Sequence, residues 1–254
     1  MSVCFVYLRP SSRSKRFILR VNYGLGAIEL VYPQTIAGKI SEKLLIDFVR
    51  QHQEWIGTHA VLVGHRPLEL GMMFPWGDQQ YHIVENQQRS KPVFHENRLE
   101  IPYSVDSNRL ISRFLARQAK ASFSLLTQHK KTVLGIDSQI TINIRDTTSR
   151  WGSCNRRGQI CYSWRLGFAP ISIQDYVTAH EVAHLVHFDH SPAFWQLCRQ
   201  LTSTCPLQAK KWLKDNGFSL QAWGRGQAGA VAAHHLPQIA VNDSIVLIGR
   251  KKHG

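Results

Sequence analysis

Apolar and polar residues alternate across Arg16–Asn22 and again across Ala27–Tyr32, a pattern that predicts two strands joined through Gly24 and Gly26. Pro33 stops the second strand. From Ser41 to Thr58 the spacing becomes helical, with Leu44, Leu45, Phe48, Val49, Trp55 and Ile56 on one face. Residues 59–70 follow neither period. Pro75-Trp76-Gly77-Asp78 reads as a turn, Gln79–Glu85 as a strand, and Val93–His95 with Arg98–Pro102 as a hairpin about Glu96-Asn97. A long helix is expected over Asp106–Lys131, capped by Asp106 or Ser107 and burying Leu110, Phe114, Ala121 and Leu125. Strands at Gln139–Arg145, Ser149–Cys154 and Gln159–Leu166 follow, the last two joined by the turn Asn155-Arg156-Arg157-Gly158. Ile160, Tyr162, Trp164 and Leu166 share one face of the last strand.

The remaining pattern is helical. Ile173–Val186 holds no Gly or Pro. Ser172 can cap it, and Asp175 can answer the cap near the positive end of the dipole. Apolar residues surround this helix on nearly every side, which predicts burial. Ser191–Thr202 forms a second helix with Phe194, Leu197, Cys198 and Leu201 inward, Pro206 breaks it, and Leu207–Asn216 forms a last helix ended by Gly217. From Phe218 the composition shifts to Gly, Ala and Gln, so 218–238 reads as a linker or loosely packed tail, with a short strand at Ile239–Ile248. The expected fold is α+β: a β-rich part over 1–105, a mixed sheet packed on a buried helix over 106–217, and a C-terminal tail over 218–254.

The buried helix carries the candidate chemistry. His180 and His184 in His180-Glu181-Val182-Ala183-His184 lie one turn apart, so both rings can reach one metal ion. Glu181 is rotated by about 100° and flanks that point, where a general base takes a proton from water on the metal. A catalytic zinc needs a third protein ligand and one open position. No Glu follows Glu181, which leaves His187, Asp189 and His190. His187 would lie about 10 Å along a continued helix from His180, at about 1.5 Å per residue. The helix must end and the chain turn back, and His190, placed just before the helix start Ser191-Pro192, fits that need with His187 as the alternative.

The flanking residues sharpen this reading. Arg150-Trp151-Gly152-Ser153-Cys154, Gly158-Gln159-Ile160, Trp164-Arg165-Leu166, Pro170, Asp175-Tyr176-Val177, the His180–His184 run and His190-Ser191-Pro192-Ala193-Phe194-Trp195 stand in one order. Together with the basic start Arg13-Ser14-Lys15-Arg16, the chain resembles the YgjP-like metallopeptidase family, related to the WLM and SprT-like zinc peptidases. The resemblance spans most of 13–217. It implies a zincin-type fold, zinc on His180, His184 and His190, and Glu181 as catalytic base. Asp189 departs from the family, which usually has Asn before the third histidine, and the tail after Gly217 has no counterpart.

Composition limits the rest. The 254 residues suffice for one or two domains. No stretch approaches the ~20 apolar residues of a membrane span, and the first ten residues lack the basic region of a secretory signal. Five cysteines without paired spacing point to reduced thiols in a cytoplasm, with Cys154 and Cys161 as small hydrophobes ahead of metal ligands. The net charge of +14 admits polyanions as partners, although its cations are spread along the chain. Arg109, Arg113, Arg117 and Lys120 read as a solvated helix flank. Cys154 to Trp164 should border the cleft, where Arg150, Arg156, Arg157 and Arg165 would favour anionic groups and Trp151 and Trp164 would pack. His52, His59, His65, His82 and His95 lack ligand spacing, and His234-His235 reads as an exposed pair.

The function expected is a zinc-dependent hydrolase acting on a peptide or protein substrate. One alternative is a metal-dependent nucleoside triphosphate pyrophosphatase or phosphohydrolase, which the basic charge favours and the missing Gly-rich phosphate loop disfavours. The other is a nucleic-acid-associated protease, which would bind DNA or RNA with steep salt dependence. A purely structural zinc site would require a fourth protein ligand, and none is evident near His190.

Overall fold

Cys4–Ser11 (β1) is a strand that local pattern misses, as is Met73–Trp76, half of which reads as a turn. The computed structural model describes residues 4–22, 27–60, 66–225, 238–242 and 245–248. In it β1 pairs in parallel with β3 (Ala27–Pro33) on one side and with β12 (Ile245–Ile248) on the other. A strand with parallel partners on both sides reads as an apolar run without clean alternation, so its period gives little signal. β2 (Ile18–Asn22) and β11 (Gln238–Asn242) complete a sheet of order β11-β12-β1-β3-β2. The helix expected over 41–58 is two helices, α1 (Glu42–Gln51) and α2 (Gln53–Ala60). Leu45, Val49 and Ile56 from these helices are buried with Val6, Ile28, Leu30 and Leu247. On β3, Glu29 is nearly inaccessible and accepts hydrogen bonds from Arg9, Arg20 and Asn22.

This assembly is one of two compact units, drawn from Met1–Pro67 with Arg225–Gly254; the second is Leu68–Gly224. The boundaries suggested by sequence at 105/106 and 217/218 both fall inside the second unit. The expected turn at Gly24 and Gly26, His65, His234-His235 and most of the 218–238 tail lie outside the described residues.

The second unit holds two sheets. The first, of order β4-β5-β7-β6, comprises β4 (Met73–Trp76), β5 (Gln79–Glu85), β6 (Val93–His95) and β7 (Arg98–Ile101). Glu96 takes a positive φ of 49° in the tight turn between β6 and β7. The second, of order β8-β10-β9, comprises β8 (Thr141–Arg145), β9 (Gly152–Cys154) and β10 (Gln159–Ser163). Both share one core with α3 (Ser107–Val133) and α4 (Ile171–Ala183). Asp106 caps α3 by accepting from Arg109 N–H at 2.9 Å. The buried face of α3 is Ile111, Phe114, Leu115, Ala119 and Phe123, while Ala121 and Leu125, both expected inside, are exposed, Leu125 at 74%.

Three local expectations are corrected. β10 stops at Ser163, and Trp164–Phe168 is a tight 3-10 turn whose residues are all buried. Complete burial gives apolar alternation no outer face to report. α4 begins at Ile171 after Pro170, without a side-chain cap from Ser172. Its exposed Ile171 N–H instead donates to Asp78 Oδ1 at 2.9 Å, a carboxylate 93 positions away in sequence. The last helix, α6 (Pro206–Ala222), runs through Gly217. Trp151 explains the glycine, since a Cβ there would stand 3.1 Å from the indole Cζ2. Phe218–Ala222 is therefore helical and not the start of a tail. Among the described residues no helix is long and apolar enough to cross a membrane.

Candidate metal centre

Between its exposed first residues, Ile171 and Ser172, and the half-buried His180 and His184 at its end, α4 is buried almost all round. Ile173, Tyr176, Val177, Ala179, Val182 and Ala183 are all inaccessible or nearly so. Asp175, expected to face the dipole, instead accepts from Lys130 Nζ at 2.5 Å and Thr202 Oγ1 at 2.6 Å. The same ammonium donates to Leu201 carbonyl at 2.6 Å, so a buried lysine on α3 ties α4 to the segment after α5 (Pro192–Gln200).

The last turn of α4 carries His180 and Glu181, and His184 is its C-cap. The chain then turns: Leu185 N–H donates to Val182 carbonyl, and His187 N–H to Ala183 carbonyl, both at 2.9 Å. Asp189 Oδ1 accepts from Ser191 N–H at 3.2 Å, and Ser191 Oγ caps α5 by accepting from Phe194 N–H at 3.3 Å. These turns return His190 over the helix end. One side-chain nitrogen from each of His180, His184 and His190 lies within 4.8 Å of the others, a group that could hold a metal ion. The Nε2 atoms of His180 and His190 are 3.3 Å apart.

His187 contributes differently from its expected role as alternative ligand. Its carbonyl oxygen lies 2.9 Å from His184 Nδ1. A proton on that Nδ1 leaves the Nε2 lone pair free, the arrangement by which ligating imidazoles are oriented. Phe194, fully buried, is the floor of the cluster, its ring centroid 4.9, 4.5 and 4.8 Å from those of His180, His184 and His190. Trp195 stacks on His190 at 5.5 Å and 22°.

Burial, reinforced by the charges of His184, His190 and Lys210, pushes His180 down to about 3, so its ring is neutral and able to bind a cation. His190 is lowered for the same reasons, burial first, with Asp189 acting in the opposite direction. Asp189 itself is held below the usual carboxylate range by hydrogen bonds from Ser191. Glu181 is only 5% exposed, and burial pushes its carboxyl up to about 8 against the opposing charge of Arg150. A base poised near neutrality suits proton transfer to and from water.

Two features of the site gave no sequence signal as parts of it. Gly152 of β9 lies directly behind Glu181: a Cβ there would stand 2.7 Å from Glu181 Cγ and 2.8 Å from Cδ. Lys210 of α6 sits over Trp195, its Nζ 3.7 Å from the ring centroid. Of the arginines expected at the cleft, Arg150, Arg156 and Arg157 are exposed, but Arg165 is buried. It pairs with Asp146, donates to Trp223 carbonyl and covers the Trp164 ring, so it serves packing. Cys154 and Cys161 stand outside the histidine group, each thiol pushed up by burial, and the five cysteines form no disulfide.

A model of the YgjP-like metallopeptidase domain matches residues 15–216. Among solved structures, the metallopeptidase zymogen of Pyrococcus abyssi abylysin is similar at 22% identity, covering 39% of this chain and 95% of that one, with a TM-score of 0.34. So loose a likeness carries no functional weight. No protein of curated function matches the chain significantly.

Proposed function

Because the chain belongs to the YgjP-like metallopeptidase family, we propose that it is a zinc-dependent peptidase in which His180, His184 and His190 hold the metal and Glu181 is the general base. The fold we assign to the catalytic region is zincin-like. The observation that carries the reading is convergence: three neutral-capable imidazoles from a helix end and the following turn meet at one point, with a buried carboxyl beside them. Three histidines, with no fourth ligand grouped with them among the described residues, suit a catalytic zinc with an open position.

A zinc ion bound there would polarise the scissile carbonyl and acidify a water molecule. The chain's own residues do the rest. Glu181, held in place by Gly152, accepts the proton of the attacking water and delivers it to the leaving amine. The His187 carbonyl keeps His184 in the tautomer that presents Nε2. Phe194 excludes water from beneath the cluster and fixes the three rings.

The test is bound metal together with turnover on an unbiased peptide library and a nucleoside triphosphate panel, for wild type and Glu181→Gln. One zinc per chain and peptide cleavage that Glu181→Gln abolishes is the expected result. Glu181-dependent release of phosphate or pyrophosphate, with peptides untouched, would move the site to nucleotide chemistry.

A further inference from the structure

We propose that the cleft selects acidic peptide segments, recognised by two cations that are each seated on an aromatic ring beside the histidine cluster; this rests on the peptidase reading above. Phe188 and Trp195 bracket His190 in sequence, and each carries a cation. Arg156 Cζ lies 5.2 Å from the Phe188 centroid, and Lys210 Nζ 3.7 Å from that of Trp195. Since Trp195 stacks on His190, Lys210 is one ring away from the metal-holding group. A third cation, Arg150, lies two residues before Gly152, the residue packed against Glu181.

In a chain of net charge +14, unpaired cations alone mean little. These are distinguished by how they are held. An aromatic face fixes a cation's position without neutralising it, so the charge stays available to a ligand. Arg150, Arg156 and Lys210 are all exposed, and none forms an ion pair among the described residues. The nearby Asp189 carboxylate accepts from Ser191 N–H and keeps its own negative charge, and the three cations outnumber it. The same loop offers apolar surface, with Val186 49% and Phe188 42% exposed. The three cations come from separate places: the segment before β9, the β9–β10 turn and α6. A chain segment passing His190 therefore meets positive charge and apolar surface together, and Asp or Glu side chains near the scissile bond complement both its charge and its donors.

The experiment uses the zinc-loaded full chain and matched peptides carrying Glu, Gln or Lys within three residues of the cleaved bond, at low and high salt. The expected kcat/KM preference for Glu over Gln is about three- to fivefold per acidic residue, the range of an exposed ion pair, shrinking as salt rises. Lys210→Glu and Arg156→Glu should each reverse the preference, and Lys210→Arg should keep it. Glu181-dependent cleavage without acidic preference, or with a preference that neither reversal moves, overturns this proposal and leaves the peptidase reading standing. Absence of Glu181-dependent cleavage of every peptide, with turnover of nucleoside triphosphates, overturns both.

Discussion

Replacing Gly152 by alanine tests how Glu181 is held without touching a charged group. The added Cβ would stand 2.7 Å from Glu181 Cγ and 2.8 Å from Cδ. Unbonded carbons rest at about 3.5–4.0 Å, so the side chain must retreat by about 1 Å. Glu181 is 5% exposed and cannot escape into solvent without breaking its packing. A displacement of about 1 Å at a reacting group costs about 10²-fold in rate. Overpacking should cost about 1–3 kcal/mol of stability as well. The glycine does not have a positive φ, so alanine brings no backbone strain and the effect is steric. The assay is kcat and KM for Glu181-dependent peptide cleavage, with bound zinc and thermal stability measured on the same samples. The expected result is kcat down by about two orders of magnitude, KM little changed and zinc retained. Wild-type kcat in the folded, zinc-loaded variant would refute the reasoning. Activity lost only in step with zinc would show that Gly152 supports the whole site and not Glu181 in particular.

Four further outcomes follow. His187→Ala should keep its zinc, because only its backbone carbonyl is used, whereas His190→Ala should lose zinc and turnover; equal loss in both would mean the ring of His187 binds the metal. Chelation should lower the melting temperature, since metal binding is coupled to folding, and added zinc should restore it. Glu29 gives a pH signature: burial raises its pKa, but hydrogen bonds from Asn22 and Arg20, the charge of Arg20 and a hydrogen bond from Arg9 outweigh it and hold the carboxyl below 4.5. With the folded pKa depressed, wild type should be more stable than Glu29→Gln above pH 4.5 and lose that advantage as pH falls through the folded value; a pH-independent difference in urea unfolding would contradict this. Lys130→Met strips Asp175 of its cation and should cost about 3 kcal/mol, as removing one partner of a buried pair does; a loss under about 1 kcal/mol by denaturant titration would show the pair to be incidental.

What sequence alone determined is local. Two histidines four apart, a glutamate between them and a third histidine before Ser191-Pro192 suffice to single out the residues that converge, because helix pitch and N-capping act over a few residues. The ends of α3 and the turn at Glu96 were legible for the same reason. Tertiary structure decided whatever depends on partners distant along the chain. β1 is a strand because β3 and β12 pair with it. α4 starts where it does because Asp78 reaches its first N–H, and Asp175 serves Lys130 and Thr202 instead of the helix dipole. Position 217 holds a glycine inside a helix where the Trp151 indole crowds the place of a side chain, and Gly152 leaves room for Glu181 in a similar way. Lys210 joins the site only because α6 folds back across Trp195. Each of these is a contact whose free energy depends on both members being brought together, and a linear pattern holds the identity of each residue but not the distance between them.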